Sequence, residues 1–101
     1  LKKSSRSRRI KVVPFDAARY LNDSSAIAEY LNTILQADDS ALLLVALGQV
    51  ARAKGMSQVA RLSGLGRESL YKALAPGSKP QFETISRVVR ALGMRIETRA
   101  A

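Results

Sequence analysis

Apolar residues return at helical intervals along most of this chain. Ile27, Tyr30, Leu31, Ile34 and Leu35 fall at i, i+3, i+4, i+7 and i+8, one face of a helix ending near Ala37. Upstream, Pro14 biases Val13 away from helical backbone, and a short helix is expected from Asp16 to Leu21. Between these two, Asn22, Asp23, Ser24 and Ser25 form a cluster of cap and turn residues. Asp38, Asp39 and Ser40 open the next helix, with acids where the macrodipole favours them. There Leu43, Ala46, Leu47, Val50 and Ala51 repeat the spacing while Leu42, Leu44 and Val45 widen the stripe, as expected of a central core helix. Gly48 inside it costs about 1 kcal/mol against alanine, which close packing by a neighbour would explain. Arg52 and Lys54 suit its C-terminal end, and Gly55 supplies a left-handed stop.

Two short helices follow, 57–63 and 67–75, separated by Gly64, Leu65 and Gly66. Ala75 to Pro80 reads as a loop. Phe82, Ile85, Val88, Val89 and Leu92 mark a final helix that Gly93 ends. Beyond it, Met94, Ile96 and Thr98 alternate with Arg95, Glu97 and Arg99, the pattern of a short strand. No second strand pattern exists to pair with it, so two outcomes stay open: pairing with another copy of the chain, or fraying. The pattern as a whole predicts an all-α protein of about five to six helices with a short C-terminal strand. One helical domain is expected over residues 13–101, preceded by a basic arm at 1–12 with almost nothing to bury. That arm would either enter a DNA groove or remain a solvated tail.

Charge adds a polarity that the hydropathy does not show. Residues 1–15 hold six cations and no acid; residues 16–39 hold Asp16, Asp23, Glu29, Asp38 and Asp39 against Arg19. Residues 52–99 hold ten cations against Glu68, Glu83 and Glu97, within a net charge of +9 for the chain. A basic C-terminal part favours polyanions, and the acidic stretch faces a different partner or plain solvent. With no Cys and no His, thiolate or imidazole metal sites and catalysis by those groups are excluded. No phosphate-binding glycine loop or walled-off carboxylate pair is evident, so no enzyme, cofactor or metal is expected. The longest apolar stretch, Ala41 to Gly48, is too short to cross a bilayer, and Ile10 to Phe15 is too short for the apolar part of a signal peptide. A cytoplasmic location without a membrane partner is the expectation.

The two short helices meet the demands of a helix-turn-helix, here spanning 56–75. Its first helix needs a tiny residue facing the second, the turn a residue tolerant of left-handed backbone, and the second helix an aliphatic anchor. Ala60, Gly64 and Leu70 fill those places. Val59 and Leu62 would support the first helix from inside, Leu65 would plug the turn, and Ser57 would be an N-cap. Arg67, Glu68, Ser69, Tyr71 and Lys72 are left on the outward side of the second helix. A recognition helix enters the major groove by its N-terminal end, so Arg67, Glu68 and Ser69 lead and Lys72 follows one turn later. Arg67 could bond guanine bidentately and Glu68 could accept from cytosine N4. Tyr71 and Lys72 are suited to phosphate, as are Ser57, Gln58 and Lys79 at the flanks. A helical bundle in which Ala60 and Gly64 merely serve tight packing would show the same spacing.

The run GMSQVARLSGLGRESLYKALAPGSKPQFETISRVVRALG resembles addiction-module antidote proteins of the HigA-like, Xre-type helix-turn-helix group. FDAARYL, IAEYLN and ALLLVALGQVARAKG resemble the same family's N-terminal half, so the resemblance covers about residues 15–96. It implies a lambda-repressor-like helix-turn-helix bundle and the antitoxin of a type II toxin-antitoxin module. Such a protein represses its own operon at double-stranded operator DNA and neutralises a small basic, ribonuclease-like toxin. DNA-contact roles carry over to Arg67, Glu68, Ser69 and Lys72. Gly66 departs from the pattern, since relatives usually place a Ser or Thr there to cap the recognition helix.

The acidic stretch would suit a basic toxin, with Asp16, Asp23, Glu29 and Tyr30 as candidate contacts, although Tyr30 also fits the core. A homodimer is expected because one helix-turn-helix has a small footprint and the C-terminal strand lacks a partner. Two other readings stay open: a stand-alone phage-type transcription regulator without a toxin, and a structural helical adaptor.

Overall fold

The computed structural model describes residues 23–101. The expected arm at 1–12, the helix expected at Asp16 to Leu21 and the contact residue Asp16 lie outside the described residues. Five helices follow one another: α1 (Ser24–Leu35), α2 (Ser40–Lys54), α3 (Met56–Ser63), α4 (Arg67–Ala73) and α5 (Phe82–Ala91). The described part is all-α, and it contains no strand. Residues 94–101 run without regular structure, exposed but for the half-buried Met94, so the alternation there does not become a strand within one chain.

Side-chain oxygens start the first two helices. Asp23 Oδ1 accepts from the Ala26 N–H at 3.1 Å, and Asp39 Oδ1 accepts from the Leu42 N–H at 3.1 Å. Each satisfies one of the N–H groups that a helix start leaves without an intrahelical partner. Between α1 and α2, Asp38 takes a left-handed backbone, φ 55°, which aspartate tolerates better than most residues. α2 is the central element, with Leu44, Ala46, Leu47, Gly48, Val50 and Ala51 buried. It packs on α1 and α3, while α3 also packs on α4 and α5.

The core is aliphatic: Ile34, Leu47, Val59, Leu70, Leu74, Val88 and Leu92 are its largest fully buried side chains. Four residues expected inside are not. Leu35 closes α1 at 53% exposure, Val45 on α2 faces outward at 36%, Leu62 points away from the core at 50%, and Phe82 at the start of α5 is 72% exposed. Leu62 is three residues past Val59 on an eight-residue helix whose buried face is already filled by Met56, Val59, Ala60 and Ser63. Gly48 meets a milder neighbour than expected: an added Cβ would lie 2.9 Å from the movable Arg52 guanidinium and 3.5 Å from the Leu74 carbonyl.

α5 ends in a Schellman motif. The Met94 N–H donates to the Val89 carbonyl at 3.2 Å and the Gly93 N–H to the Arg90 carbonyl at 2.9 Å. Gly93 sits at φ 87°, and an added Cβ would stand 2.9 Å from Ser24 Oγ, so this turn also docks α5 beside the start of α1. Gly93→Ala is therefore expected to destabilise the fold by about 1–2 kcal/mol, seen as a lower Tm without loss of helical signal below the transition. An unchanged Tm would show that the turn relaxes freely.

Candidate nucleic-acid interface

The α3–α4 pair is built around a three-residue turn. Gly64 is left-handed at φ 78° and its N–H donates to the Ala60 carbonyl at 3.1 Å, ending α3. Ser63, buried at 7% exposure, links both sides of the turn. Its hydroxyl donates to the Ala60 carbonyl at 3.2 Å and accepts from the Leu65 N–H at 3.3 Å. From α5, Arg87 Nη1 donates to the Ser63 carbonyl at 3.4 Å while Nη2 holds Glu83 at 3.2 Å. Neither Ser63 nor Arg87 stood out in the sequence. A serine ending a helix and an i, i+4 Glu–Arg pair are both commonplace, and only the fold brings them to one carbonyl.

α4 has seven residues, and Leu70 is its buried member at 0% exposure. Leu74, its C-cap, is buried at 1%. That fixes which side faces out: Arg67, Glu68, Ser69, Tyr71 and Lys72 are all exposed. The structure thus brings five of the sequence's DNA-contact candidates onto one short helix. Ser57 and Gln58 are exposed in the first turn of α3, and Lys79 is exposed in the loop after α4. That loop is tied back by Ser78, whose hydroxyl donates to the Ala73 carbonyl at 2.6 Å.

Ser57 is not the N-cap of α3. Gly55, at φ 112°, ends α2 and precedes Met56, the first residue of α3, with no side-chain cap. Burial of Met56 draws the helix start one residue earlier, and a single glycine serves both ends because its backbone tolerates the sharp turn. This leaves the Ser57 hydroxyl exposed and without a hydrogen bond among the described residues.

Charge on this face is largely uncompensated. Among the described residues the ion pairs are Arg87–Glu83 and Arg95–Glu97, so Arg61, Arg67, Lys72 and Lys79 have no acid of their own. Arg67 lies over the Tyr71 ring, 5.8 Å from its centroid. No group of three or more acidic residues that could hold a metal ion is present among the described residues.

The residues expected to meet a toxin are placed differently. Asp23 is committed to capping α1. Glu29 is exposed on the same helix. Tyr30 is half-buried against the core, and its hydroxyl donates to Gln49 Oε1 on α2 at 3.2 Å. Burial pushes its phenol pKa up. Between α3 and α5 a groove of about 500 Å³ is flanked by the exposed Leu62 and Phe82 and by Arg87 and Arg90.

Taken together, the class is a small all-α protein that fixes one short cationic helix outward across a glycine turn. The chain belongs to the family described as "Probable addiction module antidote protein", whose model matches residues 11–100. An antidote of an addiction module implies a toxin partner. The chain is also 47% identical over 83 residues to an uncharacterized protein of Haemophilus influenzae, a match covering 82% of this chain and 86% of the relative. No solved structure matches it significantly. Among the described residues, no helix is long and apolar enough to cross a membrane.

Gly66 precedes α4 at φ −69°, and a Cβ there would meet nothing within 4 Å. Gly66→Ser is expected to supply the missing N-cap and stabilise the protein by a few tenths of a kcal/mol, about the Gly-to-Ser difference at N-caps. Denaturant titration checks it; a lower midpoint at unchanged slope would show that the exposed geometry is not cap-competent.

Proposed function

We propose that this antidote is a sequence-specific DNA-binding antitoxin of the HigA-like, Xre-type group. In this reading it represses its own operon through α3 and α4, a helix-turn-helix, and neutralises a small basic toxin. The observation that carries it is the outward face of α4, where Arg67, Glu68, Ser69, Tyr71 and Lys72 stand exposed while Leu70 anchors the helix. α4 would enter the major groove by its N-terminal end, with Arg67, Glu68 and Ser69 at base edges. Lys72, Ser57, Gln58 and Lys79 would hold the phosphates on either side. No catalytic role is assigned to any residue.

Residues 94–101 support a homodimer in this reading, because Ile96 is 48% exposed and the segment has no strand partner among the described residues. Pairing with the same segment of a second copy would place two α4 helices on one face of a duplex.

Selection of duplexes from a randomised pool tests both points. The expected product is a two-fold repeat with half-sites about one helical turn, or a multiple of it, apart. On that duplex Arg67→Ala should lose about 1–3 kcal/mol and relax discrimination at one base pair. Lys72→Ala should weaken all sequences alike and reduce the salt slope by about 1. No enrichment at low salt would remove DNA binding from the function, and a single unrepeated site would remove the dimer.

Toxin neutralisation is read from growth. Co-expression with the small basic protein encoded beside it should rescue cells, and Glu29→Lys should weaken rescue while leaving helicity and DNA binding intact. Asp23→Lys is a poorer probe, since loss of the cap alone costs about 1 kcal/mol. Rescue unaffected by Glu29→Lys would move the toxin surface off α1. A neighbouring gene without toxicity would leave the stand-alone regulator.

A further inference from the structure

Arg67 is the first residue of α4, and Tyr71 stands one turn later on the same side of the helix. The guanidinium carbon lies 5.8 Å from the Tyr71 ring centroid, within the range in which the ring's electron-rich face attracts a cation. This is the one polar or charged contact that the Arg67 side chain makes among the described residues. Glu83 and Glu97 are engaged by Arg87 and Arg95, and Glu68, one residue on, points in a different direction around the helix.

The kind of contact matters more than its strength. A carboxylate partner binds a guanidinium through its in-plane N–H groups, the same groups a guanine edge requires. An aromatic ring binds through the flat face and leaves the N–H edge unspent. The side chain is thereby restrained while its five donors stay available. An arginine that reads a base must otherwise lose rotamer freedom on binding, a cost that restraint beforehand reduces.

We propose that Tyr71 is a positioning residue for Arg67, and that the stacked pair presents the guanidinium edge to a guanine in the major groove. The proposal rests on the DNA-binding reading above and adds the device that gives it base preference. It also changes the role of Tyr71: its ring, rather than a phosphate bond from its hydroxyl, supplies the contribution to binding. Tyr71 is suited to this because Leu70 takes the buried position next to it, leaving Tyr71 43% exposed.

The test is a coupling cycle on the tightest duplex recovered from the randomised pool. Tyr71→Phe, which keeps the ring, should bind like the unaltered protein. Tyr71→Leu should weaken binding by about 2- to 30-fold, the span between an exposed and a desolvated cation–π contact. In the Arg67→Ala background the same Tyr71→Leu change should have no further effect. Replacing the contacted guanine by its 7-deaza analogue should weaken the unaltered protein most, Tyr71→Leu less and Arg67→Ala least. Tyr71→Gln provides a second ringless variant should Tyr71→Leu prove poorly folded by circular dichroism.

Equal losses from Tyr71→Phe and Tyr71→Leu would place the hydroxyl on phosphate and overturn the proposal. So would losses from Tyr71→Leu that are the same with and without Arg67. An unaltered protein that retains no duplex at low salt overturns the DNA-binding reading and this one with it. The two failures are therefore distinguishable.

Discussion

A helix of seven residues has no stability of its own in water, because nucleation costs more than its few hydrogen bonds return. α4 exists because Leu70 and Leu74 are buried in the core at 0% and 1% exposure, with α4 packed on α3. Everything outward on α4 inherits its direction from those two side chains. The turn before it is restrained as firmly: Gly64 supplies the left-handed backbone, Ser63 ties α3 to Leu65, and Arg87 reaches across from α5 to the Ser63 carbonyl. The two buried leucines set the rotation of α4 about its axis, and the turn sets its angle to α3. With both fixed, five polar side chains become a surface of definite shape.

That surface is built from restraint of backbone and freedom of side chains. Its supports are apolar burial and hydrogen bonds to main-chain groups, none of which uses up the charge of Arg67, Lys72 or Lys79. Of the acids in the C-terminal part, Glu83 pairs with Arg87 and Glu97 with Arg95, while Glu68 stands exposed on α4 itself without an ion pair among the described residues. Exposed pairs of this kind add little stability, about 0–1 kcal/mol.

Helix periodicity made most of the bundle legible in the sequence. The stripes through Ile27, Leu31 and Ile34, through Leu47 and Val50, and through Val88 and Leu92 lie where their spacing puts them, in the core. Gly64 and Gly93 stand at the left-handed positions that their places after helices suggested. What spacing alone misjudged were apolar residues at helix ends and off the centre of the buried face. Leu35 and Phe82 stand at helix ends, Val45 lies between the buried positions Leu44 and Ala46 of α2, and Leu62 falls to the side of the α3 face that Met56, Val59 and Ala60 fill. Capping was misjudged at Ser57 for a related reason: burying Met56 outweighs the better cap chemistry of serine one residue on. The outward members of α4 were legible because they are what remains once Leu70 is assigned to the core. Ser63 and Arg87 were not, because their roles depend on a contact between residues 24 positions apart.

The acids show how one composition can hold two kinds of function. Read as a block, residues 16–39 are an acidic stretch suited to a cationic partner. Read atom by atom, Asp23 and Asp39 each spend an oxygen on a helix start, and Asp38 sits in the turn between α1 and α2. These carboxylates answer a local backbone need, yet a cap bond uses one lone pair of one oxygen and leaves the charge in solvent. The same groups can therefore begin the helices and lend their field to whatever approaches α1. Glu29 differs in having no side-chain bond to the backbone, so its charge is the one on α1 that folding does not require. If an acidic patch on α1 was selected for a partner and not for the helix, Glu29 is where that selection has no structural substitute.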